Sequence, residues 1–212
     1  MPGFIESTAP AAVCVSDGRQ VRNAATRVWA GCADPSPAGT AEAHKAAKSV
    51  TGATGKVLSA GVFSSDSVHR CLANALPAQL RAALRPRFER YYCAGAYFHN
   101  DAHYSGVLFG AWCILGPERE VVFPRLSIRT PAGPSNLVVF DPFEPHAVLR
   151  PGERHYAHER YETDAMSEFI GFELELLVPV RRLFGIAEPV ADAMELSSRV
   201  RINAQTGATT IA

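Results

Sequence analysis

From Glu89 onward the chain is a succession of short aromatic and β-branched runs separated by Gly, Pro, Asn and Asp, a texture that restricts it to a compact series of strands. The runs are Tyr91 to His99, Gly106 to Leu115, Glu120 to Arg129, Asn136 to Asp141, Ala147 to Arg150 and Glu168 to Leu177. Upstream the pattern changes. Leu72, Leu76, Leu80 and Leu84 recur every four positions within Ser67 to Phe88, the spacing of one helix face, and Pro77 and Pro86 divide that helix into pieces. Ala41 to Ser49 has the Ala and Lys content of a short helix, and Ala33 to Thr40 (ADPSPAGT) reads as loop. The last segment, Ser198 to Ile211, resembles a hairpin turning at Asn203 to Gly207 and packing outside the sheet.

These segments define one mainly β domain with flanking helices, an α+β arrangement. Residues 1–88 are expected as helical and loop support, 89–180 as the β core and 181–212 as an extension. A chain of 212 residues suffices for a single core of this kind.

Lys plus Arg equal Asp plus Glu at 21 each, so no global basic field favours nucleic acid or an anionic membrane surface. The apolar runs Val107 to Leu115 and Phe169 to Val180 are interrupted by Gly or charge and fall short of the roughly 20 residues needed to cross a bilayer. The first twelve residues lack a basic start and a long apolar stretch, and Cys14, Cys32, Cys71, Cys93 and Cys113 form no CxxC pair. A cytoplasmic protein with free thiols and a small-molecule partner is therefore expected, a peptide side chain being the other substrate considered.

Chemistry concentrates in AYFHNDAH and VVFDPFEPHAVL. Residues i and i+2 on a strand project to one face, so His99 and Asp101 can point together into a barrel, and His146 at a later strand can complete a three-ligand set. Two imidazoles and a carboxylate on one face of an octahedron leave three positions open, the arrangement of a non-haem iron(II) oxygenase rather than of closed tetrahedral zinc. His103 shares the parity of Asp101, so Asp101, His103 and His146 form a rival triad, or His103 contacts substrate at the rim. The bland alternative is a metal-free barrel that binds a partner, with His99 and His146 structural.

The order of these elements resembles the 2-oxoglutarate and iron(II)-dependent oxygenases, especially small prolyl-hydroxylase-like members. The resemblance runs from about Tyr91 to Val178 through HND (99–101), VVFPRLSIRTPAGPSNLVVFDPFEPHAV (121–148) and PGER (151–154). It implies a double-stranded β-helix, the jelly-roll or cupin-like barrel. It also implies Fe(II) on His99, Asp101 and His146, and O2 and 2-oxoglutarate as co-substrates, with succinate and CO2 released. A basic residue beyond the distal His would then pair with the outer carboxylate of 2-oxoglutarate. Arg154 and Arg160 are the two candidates, since a guanidinium fork holds a carboxylate through two parallel hydrogen bonds.

The long stretch between Arg154 and Glu168 departs from the family pattern. Tyr91 and Tyr97 share the parity of the metal ligands and offer hydroxyls to the same carboxylate, with core packing as the alternative. Arg125 and Arg129 alternate in phase on an expected FPRLSIR strand; Trp112 and Phe123 are core candidates, and Asn100 points away to loop backbone. A cupin-type metal dioxygenase or isomerase without 2-oxoglutarate is the competing enzyme reading.

Overall fold

The computed structural model describes residues 2–36, 38, 54–186 and 193–210. In chain order its elements begin with β1 (Gly3–Glu6), β2 (Ala12–Ser16), β3 (Arg19–Asn23), β4 (Arg27–Cys32), β5 (Thr54–Gly55) and β6 (Leu58–Phe63). Two helices follow, α1 (Asp66–Ala75) and α2 (Ala78–Arg81), and then the long strand β7 (Leu84–His99). The remaining core strands are β8 (Val107–Leu115), β9 (Glu120–Phe123), β10 (Ile128–Pro131), β11 (Asn136–Phe140), β12 (His146–Leu149) and β13 (Ser167–Glu175). Helix α3 (Val178–Leu183) and the short strands β14 (Met194–Leu196), β15 (Arg201–Ile202) and β16 (Thr209–Thr210) complete the described chain.

Strand β7 organises the barrel because it serves two sheets. Its first part pairs with β13 through Cys93↔Ser167, and its last part pairs with β12 through Ala96↔Val148 and His99↔His146. The order β1-β4-β11-β8-β13-β7 therefore continues as β7-β12-β9-β10, and the antiparallel sheet closes nearly on itself as a double-stranded β-helix of the jelly-roll type. Gly95 lies between the two pairings at φ 76°, a left-handed conformation that costs a side chain-bearing residue about 1–2 kcal/mol. A Cβ there would also stand 2.4 Å from Tyr161 Cδ1, so the bend and the packing of Tyr161 both require Gly.

The expected helix divides as its prolines dictate. The Ser65 hydroxyl accepts from the Val68 amide at the start of α1, and Pro77 opens α2. Leu72, Leu76 and Leu80 bury against the outer face of the larger sheet, with Leu108, Trp112, Ile170 and Phe172, and each such side chain contributes about 1.5–3 kcal/mol of burial. Phe123 instead belongs to the interior cluster of the barrel. The hairpin β15–β16 covers the outside of the smaller sheet, where the Phe98 amide donates to the Ala204 carbonyl at 3.0 Å and the Tyr156 amide to that of Gln205 at 2.8 Å.

Three sequence expectations change. The described part of the first 88 residues holds six complete strands besides its helices, and Leu84 and Pro86 begin β7 rather than end a helix. Glu120 to Arg129 is a hairpin, β9 and β10, because the chain turns at Pro124–Ser127, where the Ser127 amide donates to the Pro124 carbonyl and Ser127 adopts φ 57°. Arg125 and Arg129 thus do not alternate on one strand. The helix expected at 41–49 lies outside the described residues.

Candidate metal centre

The barrel places the ends of β7 and β12 side by side, so that His99 and His146 are direct cross-strand partners with ring centroids 4.5 Å apart. Strand β7 ends at His99, and Asp101 reaches the same place by another route than strand alternation. Its amide donates to the Pro142 carbonyl at 2.8 Å and its carbonyl accepts from the Tyr104 amide at 3.0 Å, fixing a turn beside the start of β12. One donor atom from each of His99, Asp101 and His146 lies within 4.8 Å of the others, and His146 Nε2 is 3.5 Å from Asp101 Oδ2. His103 stands outside this group, at the exposed rim beside Tyr104.

Both rings are held by backbone. His99 Nδ1 donates to the Tyr97 carbonyl at 2.7 Å, and His146 Nδ1 to the Glu144 carbonyl at 2.8 Å. With Nδ1 carrying the proton, each Nε2 presents a lone pair to the common centre. Burial, together with the neighbouring His99, pushes His146 down to about 4 against the opposing pull of Asp101, so the imidazole is neutral near pH 7 and competent to bind a cation.

The segment that delivers His146 is braced by two buried ion pairs that the sequence reading missed. Arg22, from β3, grips Asp141 with both terminal nitrogens, one at 2.7 Å, while the amides of Ala25 and Phe143 donate to the same carboxylate. Although burial alone would raise Asp141, Arg22 and these amides hold it below the ordinary carboxylate range. Three residues on, fully buried Glu144 accepts from Arg125 Nε at 2.9 Å and Nη2 at 2.6 Å, and Arg125 also donates to the Pro10 carbonyl at 2.8 Å. The two acids of DPFEPH were the available signal; their partners lie too far away in sequence to be matched with them. Asn100, by contrast, turns outward as expected and donates to the Ser197 carbonyl at 3.0 Å.

Beside the three ligands lies a cavity of about 290 Å³. Tyr91, Tyr104, Phe109, Phe140 and Phe169 form its aromatic walls, and Val57, Ala111, Val121 and Val148 line the rest together with Glu89, His103 and the ligands. Tyr91 stacks on Phe169 at 5.2 Å and its hydroxyl is 3.4 Å from that of Tyr104. Burial, reinforced by hydrogen bonds to Tyr104 and Glu89, raises the Tyr91 phenol well above its ordinary value. Tyr97 lies outside the lining, packed edge-on against Tyr156 and His99.

Neither expected carboxylate partner enters this cavity. Arg154 is exposed, and Arg160 pairs with Glu153 at 2.9 Å on the surface. Arg129 pairs with Glu120, and Arg119 and Arg150 converge on Asp164. Among the described residues no Arg or Lys lines the chamber. The donor set therefore fits a divalent metal ion, and beside it the lining offers the hydroxyls of Tyr91 and Tyr104 and, among the described residues, no cationic Arg or Lys side chain.

No protein-family profile and no curated protein sequence matches the chain. Solved structures similar to it include a prolyl-4-hydroxylase from Pseudomonas putida, at 17% identity and a TM-score of 0.39, the match covering 66% of this chain and 86% of that one. Another is an oxidoreductase of the 2OG-Fe(II) oxygenase family from Burkholderia pseudomallei, at 10% identity and a TM-score of 0.33, covering 79% of this chain and 74% of the other.

Proposed function

We propose that this chain is a mononuclear non-haem iron(II) oxygenase that oxidises a small molecule, with 2-oxoglutarate as co-substrate. The observation that carries the metal reading is the convergence of His99, Asp101 and His146 on one side of a cavity whose other side is open to organic ligands. Iron supplies the oxygen activation when bound. The protein's part is to hold three donors in fixed orientation, to turn the Nε2 atoms of both imidazoles towards one centre through their Nδ1 hydrogen bonds, and to shelter the reacting centre behind aromatic walls. The 2-oxoglutarate reading is supported by motif order in the sequence.

A second reading is favoured by a chamber lining that, among the described residues, holds no Arg or Lys: a cupin-type oxygenase in which the substrate itself meets the metal without 2-oxoglutarate. One experiment separates the two. Protein loaded anaerobically with iron(II) is titrated with 2-oxoglutarate, then exposed to O2 and assayed for succinate. A weak visible charge-transfer band and succinate release support the first reading. Iron binding without band or succinate favours the second, and failure to bind iron removes both.

A further inference from the structure

The chamber's charge pattern bears on the substrate. Glu89 stands at the junction between the metal chamber and an outer cleft, since Glu89, Tyr91, Tyr104 and Phe109 line both spaces. Its carboxylate accepts from the Ser59 hydroxyl and hydrogen-bonds with Tyr91, which fixes it beside two Tyr rings and Phe109. Among the described residues Glu89 is, apart from the ligand Asp101, the one acidic side chain lining the chamber, and that lining holds no Arg or Lys to neutralise it. Arg87 lies on the solvent side, in the outer cleft only, and the Glu173 carboxylate of that cleft already pairs with Arg85.

A carboxylate set among aromatic faces is the recognition chemistry of an organic ammonium ion: the charge meets Glu89 and the C–H surface meets the π faces. An anionic group in the same place would face Glu89, with the Tyr hydroxyls and the exposed His103 ring as the donors lining the chamber. We infer that the small molecule oxidised at this site is a cationic amine, whose ammonium group is held by Glu89 at the chamber mouth and whose apolar body extends between Tyr91, Tyr104 and Phe109 towards the metal. This substrate assignment rests on the oxygenase reading, but the binding selectivity is measurable apart from turnover.

The test uses full-length protein loaded anaerobically with iron(II) and three probes of similar shape: 2-phenylethylamine, 2-phenylethanol and 3-phenylpropanoate. Calorimetric titration at neutral pH is expected to show the amine binding about tenfold tighter than the alcohol, as a desolvated cation–aromatic and ion-pair contact would give. Glu89→Gln should bring amine and alcohol to equal affinity, and Glu89→Lys should reverse the preference towards the propanoate; unchanged thermal melting certifies the fold of both. Equal binding of amine and alcohol by the native protein, or an amine preference that survives Glu89→Gln, overturns the inference. Metal analysis of the same samples keeps the two readings apart. Stoichiometric iron without amine selectivity rejects the substrate class alone, whereas amine selectivity in protein that binds no iron rejects the oxygenase reading and leaves the amine site standing.

Discussion

His99 and His146 face one another across a single β-ladder position, and each ring donates from Nδ1 to the carbonyl two residues before it in its own chain. Both Nε2 atoms are thereby aimed by backbone rather than by neighbouring side chains. His99→Ala or His146→Ala should accordingly remove about one iron per chain and abolish oxygen consumption while the barrel stays folded. Metal analysis after anaerobic loading, set beside a thermal melt, reads both effects; full iron content in either variant would show the metal to be elsewhere.

The Arg22–Asp141 pair predicts a different outcome for a residue that would not touch metal. Asp141→Asn leaves a buried guanidinium without its counter-charge, which costs about 3–5 kcal/mol, and loosens the segment that positions His146. Denaturant unfolding should show that loss, and iron affinity in the folded fraction should fall roughly 10- to 100-fold, the usual cost of disturbing a group that supports a ligand.

Acid stability follows from the same carboxylate. The folded protein holds Asp141 below its ordinary value, whereas the unfolded chain titrates near about 3.9. The pair's contribution is therefore complete above that pH and is lost as pH falls through the depressed folded value. Unfolding free energies of the native protein and Asp141→Asn should differ most near neutrality and converge as the pH drops below about 4. A gap that stays constant down to low pH would show that Asp141 is not the titrating group.

Gly95→Ala tests the bend in β7. The left-handed backbone and the contact with Tyr161 together should cost about 2–4 kcal/mol, seen as a lowered melting temperature.

The Arg154→Ala, Arg160→Ala double variant should bind 2-oxoglutarate within about twofold of the native protein, since neither side chain lines the chamber. A loss of tenfold or more, measured by anaerobic titration of the charge-transfer band, would place one of these arginines at the co-substrate.

Much of the core was legible because its strands carry dense apolar and aromatic runs: four of the six expected runs became single strands close to their expected bounds, and Tyr91 to His99 became the last part of the longer β7. The turn within FPRLSIR was hidden because Ser127 takes a left-handed conformation that its residue type does not announce. GFIE, RQVRN and LSAGVF in the first third are short and largely exposed, so they lack the alternation that reveals a half-buried strand. Three candidate ligands could be named from HND and EPH, yet strand parity misplaced Tyr97. Gly95 at φ 76° and the register shift between His146 and Val148 interrupt the alternation on which that parity relies. The ion pairs of Asp141 and Glu144 join residues 119 and 19 positions apart, respectively, and no local pattern announces such matches.

Those ion pairs also set where the chain can be cut. A truncation keeping only β7 to β13 would retain all three candidate ligands, yet it would discard Arg22, which clamps Asp141, and Pro10, whose carbonyl steadies Arg125. The amino-terminal hairpin β2–β3 is in this sense a remote splint for the histidine on β12, and a trimmed barrel would carry the whole ligand motif without the scaffold that sets it in place.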